Sequence, residues 1–290
     1  MSLTPPPNPE LDELKRYLRD RHGVDLSHYN RSFLERRLGI RMRHHNAESL
    51  GRYLKILSEN KQEFPQLLNV LSVNVTEFFR DGALYDALRA KVLPVIERVS
   101  QSRSSREIRV WSAGCASGQE AYTLAMLLDD YFGRHSPSWK VRIYASDIQE
   151  AFLHEAKAGR YPKEKAAQIP PEFRRRYVAE AAGSIEVCPS LKGMVQFFKH
   201  DLATPPTVEL VDLVFCRNVM IYFSLDSKDH ILRRFHGCMA SGAFLVLGGS
   251  EIILKSDLFE LADDWHKIYQ RIDQPHPGGD QPNAGARTHR

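Results

Sequence analysis

The clearest indication of the fold is the stretch IRVWSAGCASGQE, residues 108–120. It begins as a short apolar run, turns at Gly114 and Gly118, and leads into residues 120–132, whose apolar side chains recur at helical spacing. A glycine-bearing turn between a strand and a helix lets a ligand approach the backbone at the carboxyl end of the strand. The glycine spacing is neither the dinucleotide fingerprint G-x-G-x-x-G nor a P-loop. The turn alone therefore fits a simple tight turn as well as a ligand site.

Short apolar runs recur after this stretch and alternate with helical segments. They cover residues 141–145, 195–198, 211–216 and 243–247, and a last run at 267–272 is typical of an antiparallel edge strand. Strands that alternate with helices predict an open, mostly parallel α/β sheet.

The first third of the chain has a different pattern, with apolar residues at helical spacing and no strand pattern. Phe64, Leu67, Leu68 and Leu71 show the i, i+3, i+4, i+7 spacing most clearly. This pattern predicts a small all-α domain before the sheet.

The composition shifts set the predicted domain boundaries. We expect the helical domain at residues 11–98, a polar linker at 99–106 and the α/β domain at 107–272. Residues 1–10 and 273–290 are rich in residues that disfavour packing, and we expect both ends to be disordered.

Charge and composition exclude several classes of protein. Across 290 residues the net charge is only +4, which is too small for a dedicated nucleic-acid binder. The four cysteines lie far apart without a C-x-x-C pair, so neither a zinc site nor a disulfide framework is predicted. No run of 18 apolar residues is present, and prolines occupy the position of a signal-peptide core. We expect a cytoplasmic protein without a metal site or membrane insertion.

Polar residues follow two of the predicted strands. Asp147 ends the second strand, where an acid can hold ribose hydroxyls in α/β nucleotide sites, although a helix N-cap is an equally ordinary role. Arg217 and Asn218 follow the apolar run 211–216, and they either face the same crevice or only satisfy loop backbone.

Several specific strings occur together in one order. Residues 74–80 read NVTEFFR, the glycine turn spans 111–120, ASDI lies at 145–148 and CRNVMIYF at 216–223. In this combination the chain resembles the CheR family of chemotaxis receptor methyltransferases over residues 10–272. The resemblance implies a Rossmann-like S-adenosylmethionine-dependent methyltransferase domain with a small inserted β-subdomain, preceded by a small all-α domain. It also implies methyl transfer to glutamate side chains of methyl-accepting chemoreceptors, with S-adenosylhomocysteine as the product.

The resemblance further implies which residues contact the cofactor. The expected contacts are Asn74, Thr76, Arg80, Gly114, Glu120, Asp147, Asp201, Leu202, Arg217 and Asn218. Relatives often have Asn-Leu where this chain has Asp201-Leu202, which is a departure from the family pattern.

Catalysis in such an enzyme depends on positioning, because the acceptor glutamate is already ionised at neutral pH. Arg80 could bind the carboxylate of the substrate or that of the cofactor. Tyr222 could donate a hydrogen bond near the reacting atoms, or it could simply pack in its loop. These two residues are the predicted catalytic pair.

A basic run is the predicted docking surface for the cytoplasmic domain of the receptor. Between residues 31 and 45 only one acid, Glu35, accompanies five arginines, which are Arg31, Arg36, Arg37, Arg41 and Arg43. Glutamate-bearing receptor helices would complement this charge. The alternatives are a solvated helix face or, less favoured because few aromatics interleave, a nucleic-acid surface.

The segment 183–194 matches the inserted β-subdomain of the family. In some relatives this hairpin binds a pentapeptide at the receptor C-terminus by strand addition, using a basic strand that this chain lacks. We therefore expect action that is independent of the pentapeptide, by a monomer.

Two other functional classes remain open at this stage. One is a binding module that senses the cofactor or product and regulates a partner. The other is a methyltransferase for nucleic acids or small molecules, which often carries Asn/Asp-Pro-Pro-Tyr/Phe where residues 216–219 here read CRNV.

Overall fold

The computed structural model describes residues 8–71, 76–101, 103, 106–133, 139–253 and 256–273. Asn74, residues 1–7 and residues 274–290 lie outside the described residues, so the predictions made for them stay predictions. Within these ranges, no helix has both the length and the apolar character that a membrane span requires.

The first four helices form a domain with its own core. They are α1 (Pro9–His22), α2 (Arg31–His44), α3 (Leu50–Glu59) and α4 (Glu63–Leu71). Asn8 caps α1 by accepting a hydrogen bond from the backbone N–H of Leu11 at 3.2 Å, so the chain is helical from Pro9 and not only from residue 11 as predicted. Leucine and aromatic side chains from all four helices share one hydrophobic cluster.

The next helices belong to the sheet domain instead. These are α5 (Gly82–Ala87) and α6 (Leu93–Gln101), joined by a π-helical turn at Leu88–Val92. Their buried side chains, such as Leu84 and Ile96, lie in the same cluster as those of the central strands. We therefore place the domain boundary between residues 71 and 76 instead of near residue 98.

The segment predicted as a linker is also attached to the sheet domain. Helix α6 extends to Gln101, and the Arg103 guanidinium pairs with the buried carboxylate of Asp212 at 2.5 Å. The sequence alone suggested a linker because the partner of Arg103, Asp212, lies more than 100 positions further along the chain.

The main sheet has seven strands in the order β6-β2-β1-β7-β8-β10-β9. The five strands β6, β2, β1, β7 and β8 are parallel, and β10 pairs antiparallel with both β8 and β9. Their ranges are β1 (Glu107–Ala113), β2 (Lys140–Asp147), β6 (Val195–Lys199), β7 (Val211–Cys216), β8 (Met239–Leu247), β9 (Phe259–Asp263) and β10 (Ile268–Arg271). The predicted α/β sheet and its six predicted strands are confirmed. The sequence pattern missed β9, whose three central residues are all exposed.

Helices cover the sheet and connect its parallel strands. They are α7 (Gln119–Leu128), α8 (Glu150–Ala158), α10 (Pro189–Met194) and α11 (Leu225–Cys238). Strands β2 and β7 lie on opposite sides of β1. This reversal of strand order is the place where open α/β sheets leave a crevice for ligands.

A small second sheet lies between α8 and β6 in the chain. Its strands are β3 (Arg160–Pro162), β4 (Val178–Ala181) and β5 (Ser184–Val187), and they lie in the sheet in the order β3-β5-β4. Helix α9 (Pro171–Tyr177) connects β3 to β4 along the chain. The predicted insertion at 183–194 thus contains only its last strand, and residues 189–194 are helical. Strands β3 and β4 were missed because they are only three and four residues long and mostly exposed, so neither forms an apolar run.

The two domains meet beside the carboxyl edge of the main sheet. Tyr29 and Phe223 form an isolated β-bridge, and their rings stack with centroids 5.1 Å apart. On either side, the N–H of Asn30 donates to the Tyr222 carbonyl at 2.8 Å and the N–H of Ser224 donates to the His28 carbonyl at 2.9 Å. The start of α2 is therefore fixed against the loop that follows β7.

Candidate active site

A cavity of about 420 Å³ opens at the carboxyl ends of β1, β2 and β7. This volume lies within the range of small-molecule and cofactor sites. Every described residue of the predicted cofactor and catalytic sets lines it, and these are Thr76, Arg80, Gly114, Glu120, Asp147, Asp201, Leu202, Arg217, Asn218 and Tyr222. Their clustering in one cavity supports the resemblance.

The turn after β1 brings its backbone against the loop that follows β7. Gly114 has φ +86°, and a Cβ atom built on it would lie 2.5 Å from Cγ2 of Val219. Only glycine combines this left-handed conformation with such a close approach. The N–H groups of Gly114 and Cys115 both donate to the Ser146 carbonyl, at 2.8 and 2.9 Å. The turn is thereby fixed to the end of β2.

Asp147 holds the same turn through its side chain. Oδ2 accepts the N–H of Ala116 at 2.9 Å, and Oδ1 accepts the N–H of Gln149 at 3.0 Å. Burial raises the pKa of Asp147 above its ordinary value, although these N–H groups favour the charged form. A carboxylate has about four acceptor positions, so it retains capacity for hydroxyl groups of a ligand.

Glu120 lies on the first turn of α7 and faces the cavity. Its Oε1 accepts a hydrogen bond from the Ser112 hydroxyl at 2.7 Å. Burial raises the pKa of Glu120, and the positive charges of Arg217 and Arg80 oppose that rise. Glu120 and the two arginines thus bring opposite charges to the same cavity.

Arg217 is tied to the segment that carries Arg80. Its guanidinium pairs with the carboxylate of Asp81, and its Nη1 donates to the Arg80 carbonyl at 3.2 Å. The residue is 7% exposed. Arg217 lines the cavity as predicted, yet its hydrogen bonds position the neighbouring chain, a function that the sequence motif did not indicate.

Tyr222 closes the cavity at the domain interface. Its ring lies 4.7 Å from that of Phe33 on α2, so the packing role considered from sequence is present. Burial raises the pKa of its hydroxyl, while the nearby charges of Arg37, Arg80 and Arg36 oppose this effect. The hydroxyl therefore stays protonated at neutral pH and remains a hydrogen-bond donor.

Sequence patterns missed several residues of the site. Tyr29 and His200 line the cavity. Glu251 does not, but its buried carboxylate binds the loop after β7. Burial lowers the pKa of His200, which favours a neutral ring. Tyr29 comes from the helical domain and Glu251 follows β8, so no local motif connects either to the site; His200 could have been found from its position directly before Asp201.

The basic helix α2 lies next to the cavity, but its arginines are not equivalent. Arg41 does not belong to an exposed surface, because Nε and Nη2 bind both carboxylate oxygens of buried Glu63 at 2.8 and 2.6 Å. This corrects its predicted docking role. Arg31 forms an exposed ion pair with Glu35 at 2.8 Å.

The remaining positive charge of α2 comes from three arginines. Arg36 and Arg43 are exposed, and Arg37 is half-buried with its guanidinium 5.7 Å from the Phe33 ring centroid. Arg36 and Arg43 are seven positions apart and so share one side of the helix. We call Arg36, Arg37 and Arg43 the basic face.

The described part of the chain contains no group of three or more His, Cys, Asp or Glu side chains arranged to hold a metal ion. Cys115 is buried, and burial raises the pKa of its thiol well above the ordinary value, so it is not a reactive thiolate.

The cavity offers acids near β2, two arginines and a tyrosine donor. This set can bind a polar nucleoside and orient a carboxylate.

Comparisons with known proteins give the same result over both domains. Residues 9–72 match the family model "CheR methyltransferase, all-alpha domain", and residues 74–267 match "CheR methyltransferase, SAM binding domain". A chemotaxis protein methyltransferase of Borreliella burgdorferi is 34% identical over 250 residues, which cover 84% of this chain and 88% of the relative. That of Escherichia coli strain K12 is 33% identical over 246 residues, with 82% of each chain covered.

A 104.1 kDa protein of Rhodobacter capsulatus is also similar, at 35% identity over 240 residues. The match covers 82% of this chain but only 25% of that protein. The two matched family domains account for nearly all of the residues that the structure describes, and the fold has the predicted arrangement. The chain therefore belongs to the CheR methyltransferase family and is an S-adenosylmethionine-dependent methyltransferase.

Proposed function

We propose that this enzyme methylates glutamate side chains in the cytoplasmic domain of methyl-accepting chemoreceptors, giving glutamate methyl esters and S-adenosylhomocysteine. We also propose that it acts in the cytoplasm as a monomer and needs no receptor pentapeptide. The observation that carries the proposal is that Arg37 of the basic face lies over the Phe33 ring, which packs against Tyr222 at the cavity. An acidic helix on that face would bring its glutamates to the cavity.

The cavity fits S-adenosylmethionine by its own geometry. Asp147 would hold ribose hydroxyls, the Gly114 turn would let the cofactor approach the backbone, and Arg80 could bind a carboxylate. The cofactor supplies a methyl group on a positively charged sulfur, from which a neutral thioether is a good leaving group.

The protein then has to orient the acceptor and exclude water. Because a glutamate carboxylate is already ionised at neutral pH, the cavity residues would only have to hold it toward the methyl group and would not have to remove a proton. Arg80 and Tyr222 would hold the carboxylate in line, and the packed domain interface around Tyr29 and Phe223 would keep water out. This division of roles requires no general base.

Independence from a receptor pentapeptide is supported by the edge of the small sheet. Strand β4 reads Val178-Ala179-Glu180-Ala181, and its one charged side chain is an acid that lies 3.7 Å from Arg174. Such an edge offers no positive charge along β4 to a peptide that ends in a carboxylate. A measurable complex between this chain and a receptor C-terminal peptide would contradict the proposal.

The direct test is methyl transfer from labelled S-adenosylmethionine into receptor cytoplasmic fragments. We expect label that mild alkali releases as methanol, which identifies a methyl ester. Label that resists alkali would point to a different acceptor atom, and label in nucleic acid would support the alternative class of methyltransferase.

Reversing charge on the basic face should weaken receptor docking. For the double variant Arg36→Glu, Arg43→Glu we expect the receptor KM to rise about tenfold at low salt, and by less at high salt, since these side chains are exposed. Binding of S-adenosylhomocysteine should not change. Arg98→Glu is the matched control, because this exposed arginine lies on α6, away from the carboxyl edge of the sheet. Equal effects in both proteins would contradict a specific docking face.

Replacing Asp147 should weaken cofactor binding. In Asp147→Asn the new amide group would oppose a backbone N–H of Ala116 or Gln149, and one ribose acceptor would be lost. We expect the dissociation constant of S-adenosylhomocysteine to rise about 30-fold to 100-fold, measured by calorimetry. In the wild type the affinity should fall as the pH is lowered through the raised pKa of Asp147, because only the ionised form offers all its acceptors. Unchanged affinity in the variant would remove Asp147 from the site.

A further inference from the structure

We infer that Glu251 is a positioning residue for methyl transfer, because its buried carboxylate fixes the loop that carries Asn218 and Tyr222. We call residues 217–223 the site loop. The inference rests on the function proposed above, since it takes the site loop to be part of the reaction centre. Glu251 follows the end of β8 and is only 4% exposed.

The carboxylate joins three backbone donors. Oε2 accepts the N–H of Gly248 at 2.6 Å and the N–H of Asn218 at 2.8 Å. Oε1 accepts the N–H of Ile221 at 3.2 Å. One side chain thus binds the site loop at two points and connects it to the end of β8.

Both points of attachment lie next to side chains of the cavity. Asn218 has φ +59°, a left-handed conformation that asparagine adopts more readily than most residues with a Cβ atom. Ile221 lies in the 3₁₀ turn Met220–Tyr222, directly before the tyrosine hydroxyl that faces the cavity. The Glu251 carboxylate holds the backbone directly at both residues, so its loss would release the turn that carries Tyr222.

The end of β8 is shaped for this contact. A Cβ atom built on Gly248 would lie 2.7 Å from Oε2 of Glu251 and 2.8 Å from the backbone nitrogen of Asn218. A side chain at position 248 would therefore separate the carboxylate from the loop. The glycine and the glutamate act together.

A carboxylate suits this place better than an amide. All three groups that face Glu251 are donors, and a carboxylate has only acceptors. In Glu251→Gln the amide oxygen can replace Oε2 and keep the N–H groups of Gly248 and Asn218. The amide NH₂ then faces the N–H of Ile221, so the half of the loop that carries Tyr222 loses its attachment.

This asymmetry gives a split between turnover and binding. In Glu251→Gln we expect kcat for receptor methylation to fall about tenfold to a hundredfold, because a hydrogen bond to a charged group is lost next to Tyr222. We expect the affinity for S-adenosylhomocysteine to change about twofold or less. A residue that only stabilises the fold would not separate these two quantities.

The matched control is Asp212→Asn. Asp212 is another buried carboxylate that accepts a backbone N–H, from Arg109 at 2.9 Å, but it lies at the amino end of β7, away from the cavity. We expect this variant to lower the melting temperature and leave kcat unchanged. Gly248→Ala should reproduce the loss of kcat without any change of charge, and it decides the matter if Glu251→Gln does not fold.

Amide hydrogen exchange tests the attachment without any substrate. In Glu251→Gln we expect faster exchange at Ile221 and little change at Asn218. The inference is wrong if kcat is unchanged in both the Glu251 and Gly248 variants, if Asp212→Asn lowers kcat equally, or if exchange at Ile221 is not altered. A wild-type enzyme that transfers no methyl group to receptors would instead refute the proposed substrate, and exchange at Ile221 would still decide the role of Glu251.

Discussion

Replacing Arg80 with alanine is expected to lower kcat/KM for receptor methylation by roughly 10²-fold to 10³-fold. Arg80 lines the cavity together with Glu120 and Tyr222, and its positive charge opposes the rise in the pKa of both groups. Its backbone is fixed, because its carbonyl accepts a hydrogen bond from the Arg217 guanidinium. A guanidinium fixed in this way can bind a carboxylate through two parallel hydrogen bonds, which alanine cannot do. Steady-state kinetics with labelled cofactor measure the loss.

A second variant and two binding measurements show how Arg80 acts and which carboxylate it binds. Arg80→Lys keeps the charge without the planar fork, so its activity should lie between those of the wild type and Arg80→Ala. If Arg80 binds the cofactor, the dissociation constant of S-adenosylhomocysteine rises in parallel; if it binds the substrate, the receptor KM rises instead. Normal turnover in Arg80→Ala would show that Arg80 does not position either group.

Replacing Glu63 with alanine is expected to lower the free energy of unfolding by about 3–5 kcal/mol, because it leaves Arg41, whose side chain is only 11% exposed, without its counter-charge. Glu63 is 2% exposed. Its carboxylate binds Arg41, accepts the Tyr53 hydroxyl at 2.6 Å and lies 2.7 Å from Nε2 of His45. Urea denaturation followed by circular dichroism measures the change.

The control is Glu59→Ala, which removes an exposed carboxylate 4.0 Å from Lys55 and should cost less than about 1 kcal/mol. Burial of Glu63 opposes its ionisation, but hydrogen bonds from Arg41, Tyr53 and His45 lower its pKa from 4.5 to about 2. Because the pKa is lower in the folded protein, ionised Glu63 stabilises the fold at any pH above its unfolded pKa of 4.5. This stabilisation is lost as the pH falls toward 2. The difference between wild type and Glu63→Ala should therefore be full at neutral pH and shrink below about pH 4.5; a constant difference would contradict the assignment.

Local patterns in the sequence were sufficient for the architecture of the larger domain. Apolar runs with strand length identified the parallel strands β1, β2, β6, β7 and β8 and the antiparallel strand β10, because each of them contributes buried apolar side chains to the core. Since parallel strands end at one edge, the residues that follow them had to lie together. Gly114, Asp147, Arg217 and Asn218 do line one cavity.

The domain boundary could not be predicted in the same way. Helices α5 and α6 have the same apolar spacing as α1–α4, and spacing shows only that a helix has a buried side. It does not show which core covers that side. Their contacts with the central strands place them in the sheet domain.

What the sequence by itself determined is the fold class, the family and the group of residues around the cavity. The alternation of strands and helices along the chain and the short motifs encode all three. What only the tertiary structure decided is how individual charges are used. Arg41 and Arg36 look alike in one basic run, yet one is paired with a buried acid 22 positions away and the other is exposed. Glu251 binds a loop that precedes it by some 30 positions. Such pairs depend on which side chains folding brings together, and the local sequence around each partner does not contain that information.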